Sequence, residues 1–231
     1  MSRRTMVTVA SWRPVVARSS FLVFLSATVA AASLSAAVAG LSGCSPAPRK
    51  AVLPDAAEIE DRLRQARELQ TRADQARRKG NQPEAIDLYR RSLGLDGSNF
   101  AAWHNLGTLL MEQKDYMAAA GALRAAADLA PTDPRPLESL GLTYFRAGYD
   151  EQALRHYMES LDRDPTRVES IRGVAMCAYR LNRADDDILE ILRRGSMVEP
   201  DSKWRTMIHR ERVRVEQQIK AEKESARREG R

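Results

Sequence analysis

A period of 34 residues runs through the middle of the chain. The matched positions are apolar, small or aromatic residues at helical spacing, followed by a closing proline. They are Trp103 with Leu137, Leu106 with Leu140, Gly107 with Gly141, Ala119 with Ala153, Leu123 with Tyr157, and Pro131 with Pro165. A helical unit of this length cannot bury its own apolar stripe, so it stacks on its neighbours. The period therefore predicts an array of stacked helical repeats.

The pattern resembles the tetratricopeptide repeat family, whose signature joins a W-x-x-L-G motif to a later small residue and a proline. The resemblance implies an all-α, right-handed superhelical solenoid of antiparallel helix pairs. Two repeats are clear, at 100–133 and 134–167, and a third at 66–99 is good. A fourth at 168–201 is degenerate, because Asp187 replaces the small residue and the closing proline is shifted to Pro200.

Small and aromatic residues of the repeats predict how the helices meet. The small ones, which allow close approach, are Gly107, Ala119, Gly141 and Ala153, and the aromatic ones, which fill the gaps, are Tyr89, Trp103, Tyr144 and Tyr157. Gly80 and Gly148 fall between the two helices of their repeats, where a glycine accepts a positive φ. We expect a turn at each of these two glycines.

The repeat domain is predicted to span 55–201, with a capping helix and charged tail at 202–231. Asp55 is expected to cap a helix from Ala56 to Lys79, with Glu58 completing a capping box. Ser202 is expected to cap a helix from Lys203 to about Arg228. Its apolar stripe comprises Trp204, Ile208, Val215 and Ile219.

Residues 1–43 have the order of a secretory signal peptide: four arginines and no acid, an apolar run, then small residues. Their ending, Leu41-Ser42-Gly43-Cys44, resembles the lipobox of bacterial lipoproteins. The resemblance implies cleavage before Cys44 and a lipid on that cysteine, with 44–54 as a proline-rich tether. The protein is then expected at the cell membrane or outer membrane, facing the periplasm or cell exterior.

Two other interpretations of this leader stay open. The stretch from Phe21 to Gly43 is 23 residues without a charge, which is long enough to span a bilayer as a helix. Alternatively, a plain signal peptide is cut near Ala37-Val38-Ala39.

The charge balance gives no support for nucleic-acid binding. Four of the 37 basic residues and none of the 31 acidic ones precede Cys44, which leaves 33 against 31, a net charge of +2. The sequence also lacks the G-x-x-x-x-G-K-[ST], H-E-x-x-H, C-x-x-C and G-x-S-x-G motifs. We therefore predict no enzymatic activity, cofactor, metal or small-molecule substrate, and expect Cys177 to be a small buried apolar side chain.

In the resembled family, the first helices of the repeats line a concave groove that binds extended peptides or partner segments. Matched onto this register, the groove residues are Gln70, Asp74, Arg77, His104, Asn105, Thr108, Met111, Arg135, Glu138, Leu142, Phe145, Arg172, Met176 and Tyr179. For a good part of this set, the alternative is packing within the array.

The resemblance implies a membrane-anchored extracytoplasmic scaffold that binds a partner protein or peptide. Assembly of an envelope complex, such as a pilus or secretion system, is the expected setting. The alternative is a regulatory or recruiting subunit of a cell-wall enzyme or protease of the envelope.

Overall fold

Helices account for nearly all of residues 55–229, the part of the chain that this computed structural model describes. Nine α-helices and no strand occur in that range. They are α1 (Ala56–Arg78), α2 (Gln82–Leu95), α3 (Phe100–Glu112), α4 (Tyr116–Leu129), α5 (Arg135–Ala147), α6 (Asp150–Arg163), α7 (Val168–Leu181), α8 (Asp186–Val198) and α9 (Ser202–Glu229). The predicted all-α fold is confirmed.

Each helix packs on the next one along the chain. We call the odd-numbered helices A helices and the even-numbered ones B helices. The A helices α3, α5, α7 and α9 stack in a row. Because Ser202 lies 34 residues after Val168, α9 takes the place of one more A helix.

The four turns from A helix to B helix share one hydrogen-bond pattern. Each contains a residue of positive φ, and these residues are 34 positions apart: Gly80 (77°), Lys114 (66°), Gly148 (85°) and Asn182 (48°). In the second turn, the Asp115 N–H donates to the Leu110 carbonyl at 2.9 Å and the Lys114 N–H donates to Met111 at 3.0 Å. This is the Schellman motif, which ends a helix and satisfies its last carbonyls.

The small residues of the repeats lie where two helices come close together. A Cβ added at Gly107 would stand 2.6 Å from Cγ of Leu123, and one at Gly141 would stand 2.8 Å from the Tyr157 ring. Tyr89 and Tyr157 are fully buried, as predicted. Trp103 and Tyr144 are only partly buried and pack at the edge of the core.

The N-terminal ends of three helices show which caps form. Asp55 is in the N-cap position of α1, but its side chain makes no capping hydrogen bond, so the predicted capping box is absent. At α9 the prediction was wrong by one residue. Ser202 is already helical, and Asp201 accepts from the N–H groups of Lys203 (2.8 Å) and Trp204 (3.1 Å). Asp185 caps α8 by accepting from Ile188 at 2.9 Å.

The two long end helices bury only part of their apolar stripes. In α9, Ile208, Val215 and Ile219 are buried. In α1, Ile59 is 42% exposed, and the buried residues are Ala66, Ala73 and Ala76.

No helix within residues 55–229 is both long and apolar enough to cross a bilayer. The predicted signal peptide, Cys44 and the tether lie outside the described residues.

Candidate functional site

The A helices together present one surface, which we call the A face, and its first part is polar. The Asp74 carboxylate accepts a hydrogen bond from the Tyr89 hydroxyl. The Asn105 amide donates to Asp74 at 3.3 Å and to the Tyr89 oxygen at 3.2 Å. Burial, reinforced by the bond to Asp74, raises the pKa of Tyr89 to about 12. This network joins α1, α2 and α3.

Other predicted groove residues of this part also bond within the array. Gln70 accepts from the Asn99 amide at 2.7 Å, and the Thr108 hydroxyl donates to the His104 carbonyl at 3.0 Å. Arg77 is exposed and lines a polar depression of about 200 Å³.

The middle of the A face is a cluster of stacked and charged side chains. His104 stacks on Phe100 with ring centroids 6.0 Å apart and lies 3.2 Å from the Ser139 hydroxyl. The Arg135 guanidinium lies 5.4 Å from the same Phe100 ring and bonds Asp133. Burial, and to a lesser extent Arg135, lowers the pKa of His104.

Two predicted groove residues form ion pairs with later helices or loops. Glu138 accepts from Arg167 at 2.6 and 3.0 Å, yet burial outweighs the arginine and raises the pKa of this carboxyl. Arg172 donates to Glu199 at 2.6 and 2.9 Å, and its guanidinium lies 5.1 Å from the Trp204 ring. The first pair links α5 to the residue that precedes α7, and the second links α7 to the residue that follows α8.

The last part of the A face contains an apolar pocket of about 590 Å³ between α5, α7 and α9. Its apolar lining is Phe145, Met176, Tyr179 and Met207. Tyr179 is 70% exposed, although it is a large aromatic side chain. A pocket of this size accepts one or more large side chains of a ligand.

The structure thus divides the predicted groove residues into two groups. Phe145, Met176 and Tyr179 come together at the pocket, while most polar members bond other residues of the array. Leu142 is half-buried and packs against two clusters of buried apolar side chains, one formed by α1 to α4 and the other by α6 to α9. Met111 was placed wrongly, because it is only 5% exposed and belongs to the core. A partner has almost no surface of Met111 to contact.

Comparison with known protein families identifies the repeat at 100–133. Residues 100–133 match the family model described as tetratricopeptide repeat. These residues are a tetratricopeptide repeat. No curated protein sequence matches the chain.

Solved structures show that the tetratricopeptide fold extends well beyond that one repeat. A MamA crystal structure is similar at TM-score 0.57 and 16% identity, covering 72% of this chain and 92% of its own. MamA 41-end from Desulfovibrio magneticus RS-1 is similar at TM-score 0.51 and 22% identity, covering 61% of this chain and 84% of its own.

The first tetratricopeptide domain of Spaghetti (RPAP3), solved bound to the HSP90 peptide SRMEEVD, is similar at TM-score 0.50 and 20% identity. It covers 52% of this chain and 96% of its own. At these identities the likeness is one of fold.

The pocket of this tetratricopeptide array includes residues that sequence reasoning missed. Its lining is completed by Arg180 of α7 and by Met207, Arg210, Glu211 and Arg214 of α9. The 34-residue period, continued past 201, contained the signal: Arg210 is one period after Met176, and Arg214 is one period after Arg180. Treating α9 only as a cap hid this register.

The described tetratricopeptide helices contain no arrangement suited to a metal or a reactive thiol. Within residues 55–229, no three His, Cys, Asp or Glu side chains are grouped to hold an ion. Cys177 is buried, as predicted, and burial raises its pKa to about 12. A thiol with so high a pKa is protonated at neutral pH and is a poor nucleophile.

Proposed function

We propose that this protein is a membrane-anchored, extracytoplasmic scaffold that binds a partner protein or peptide on its A face. The anchor is the lipid expected on Cys44, and the proline-rich tether sets how far the repeats reach from the bilayer. The proposal assigns the protein a binding role in an envelope complex.

The observation that carries the binding role is the apolar pocket of the A face. Its apolar surface comes from three helices, and Tyr179 stays largely exposed there. Exposed apolar side chains that line a concavity favour contact with another molecule, since burying them is favourable by about 25 cal/mol per Å². Most of the predicted polar groove residues in the first two repeats bond other residues of the array, so they offer a partner fewer free groups than the pocket offers apolar surface.

Site-specific photocrosslinking in the native host tests this binding role. A benzoylphenylalanine at position 179 should give a discrete crosslinked adduct in envelope membranes. The same residue at Arg155, exposed on the B helix α6, is the control and should give none. The adduct should disappear when Met176→Arg places a charge in the pocket. Equal adducts from both positions would contradict the proposal.

The identity of the adduct separates the two settings of the scaffold. A pilus or secretion-system component supports a role in assembly, whereas a peptidase or cell-wall hydrolase supports the regulatory alternative.

Metabolic labelling with a clickable palmitate tests the anchor separately. We expect label on the wild type, no label on Cys44→Ser, and loss of that variant from the membrane fraction. Label that persists on Cys44→Ser would contradict the anchor and leave the binding role untouched.

A further inference from the structure

Arginine is the commonest residue type in the lining of the apolar pocket. Three of its eight lining residues are Arg180, Arg210 and Arg214, and Glu211 is the only acid. The hydrogen bonds and ion pairs that these side chains make within the protein determine which of their charges is available to a ligand.

Arg214 and Glu211 satisfy each other. The Arg214 guanidinium donates to both Glu211 oxygens at 2.6 to 3.0 Å. It also donates to the Arg183 carbonyl at 2.8 Å and to the Asn182 amide oxygen at 2.9 Å. Its donors thus join α9 to the end of α7, and the charge of Glu211 is neutralised.

Arg180 also interacts with other residues of the protein. It pairs with Asp150 at 2.9 Å, and its guanidinium lies 4.4 Å from the Phe145 ring centroid. This stacking makes Arg180 part of the pocket wall.

Arg210 differs from both of these arginines. It is exposed, and within residues 55–229 it makes no hydrogen bond or ion pair. Its register places it in the row of Leu142 and Met176, each one period apart along the A face. The charge of Arg210 is therefore available next to the apolar lining. A peptide segment that lies across the A helices and contacts Leu142 and Met176 would also pass Arg210.

We propose that Arg210 makes the pocket selective for an acidic segment, in which a large apolar side chain is flanked by an Asp or Glu side chain. This inference rests on the proposed function, because it names the chemistry of the partner at the same pocket. The apolar side chain fills the space between Phe145, Met176 and Met207, and the carboxylate pairs with Arg210. Helix α9 is then part of the recognition surface as well as a cap.

A phage-displayed library of random peptides, panned on the full-length protein in detergent, tests the inference. Peptides enriched on the wild type should combine a large apolar residue with Asp or Glu. On Arg210→Glu the flanking residues should change to Lys or Arg. Lys220→Glu alters the net charge equally at an exposed position of the same helix outside this pocket, and should enrich the wild-type peptides.

The Met176→Arg variant separates failure of the inference from failure of the proposed function. If wild type and Arg210→Glu enrich the same apolar peptides without charge preference, the inference is overturned and the pocket remains a binding site. If wild type enriches nothing beyond Met176→Arg, the proposed function fails at this pocket and the inference fails with it. Unchanged circular dichroism melts establish that the variants are folded.

Binding of one enriched peptide gives the size of the effect. Its dissociation constant should rise about ten-fold in Arg210→Glu and should rise with added salt in the wild type, because a rim charge pair is screened. A salt-independent constant, unchanged in Arg210→Glu, would overturn the inference.

Discussion

At the scale of single residues, the packing depends on glycines that contact an aromatic ring. Tyr157 lies between Gly141 and Gly173, and a Cβ at Gly173 would stand 2.4 Å from the ring. We expect Gly173→Ala to lower the free energy of unfolding by about 1–3 kcal/mol, since the gain in helix propensity is smaller than the cost of overpacking. Urea denaturation measures the change.

Gly121→Ala is the matched control for this prediction. Gly121 is also inside a helix, but no atom lies within 4 Å of an added Cβ. The variant should be more stable than the wild type by up to about 1 kcal/mol. Equal effects of the two substitutions would contradict the packing role of Gly173.

Sequence reasoning identified some of these residues and missed others. Gly107 and Gly141 belong to the repeat motif, so their close contacts could be predicted. Gly173 and Gly195 lie outside the motif positions. Their contacts come from Tyr157 of the preceding repeat and from Ile171 and Ile208. Sequence spacing alone does not show such contacts.

At the scale of helices and turns, Lys114 is the least favourable residue in the Schellman turns. It has φ 66° where two other repeats have glycine, and a left-handed backbone costs a residue with a Cβ about 1–2 kcal/mol. We expect Lys114→Gly to stabilise the protein by about 0.5 kcal/mol, because the greater freedom of glycine in the unfolded chain offsets part of the gain. Thermal melts measure it.

The reverse substitution tests the same explanation from the other side. Gly148→Lys places a side chain at φ 85° in an otherwise open site and should destabilise the protein by about 1 kcal/mol. Two substitutions with the same sign would show that the backbone conformation is not the cause.

The ion pair between Arg172 and Glu199 predicts a dependence of stability on pH. Glu199 has a side chain only 1% exposed, and its bonds to Arg172 hold its pKa below the ordinary value. Stability from this group is therefore present above the unfolded-state pKa of about 4.3 and is lost as pH falls through the folded-state pKa. Glu199→Gln should cost about 1.5–3 kcal/mol near neutral pH and progressively less as the pH falls below the unfolded-state pKa, and urea denaturation at a series of pH values measures this.

Glu138→Gln is the control with the opposite trend. Burial raises the pKa of Glu138. The stability that this pKa shift contributes is therefore present at low pH and is lost as pH rises through the folded-state pKa. The stability difference between wild type and this variant should grow on acidification. If the stability of both variants, relative to the wild type, changed in the same direction with pH, the opposite pKa shifts of Glu199 and Glu138 would be contradicted.

The site shows how far prediction from sequence reached at this scale. The register placed Phe145, Met176 and Tyr179 on the A face, since the position of a residue in a repeat fixes its side of the helix. It did not show that Gln70, Asp74 and Glu138 bond within the protein. Their partners are 15 to 29 residues away along the chain. Such pairs depend on how neighbouring helices pack.

At the scale of the whole described array, α9 has two roles because it continues the A row. It covers the last repeat through Ile208 and Val215, and it provides Met207 and Arg210 to the pocket. The 34-residue period, continued beyond residue 201, contains the signal for this position, but the sequence analysis treated α9 only as a cap. Its apolar stripe was recognised from the sequence, whereas its place in the pocket depends on packing against α7.

Stability in a repeat array is close to a sum of nearest-neighbour terms, so damage at one end should stay local. Ile208 is fully buried in the core cluster that includes Ile171 and Leu192. Ile208→Ala should cost about 2–4 kcal/mol. Hydrogen exchange measured by mass spectrometry should show lost protection in α8 and α9, with α1 to α4 unchanged, because their cores are separate clusters. Peptide binding at the pocket should weaken as well, since α9 forms one of its walls. A uniform loss of protection over all nine described helices would instead show that the array unfolds as one cooperative unit, and that α9 stabilises every repeat.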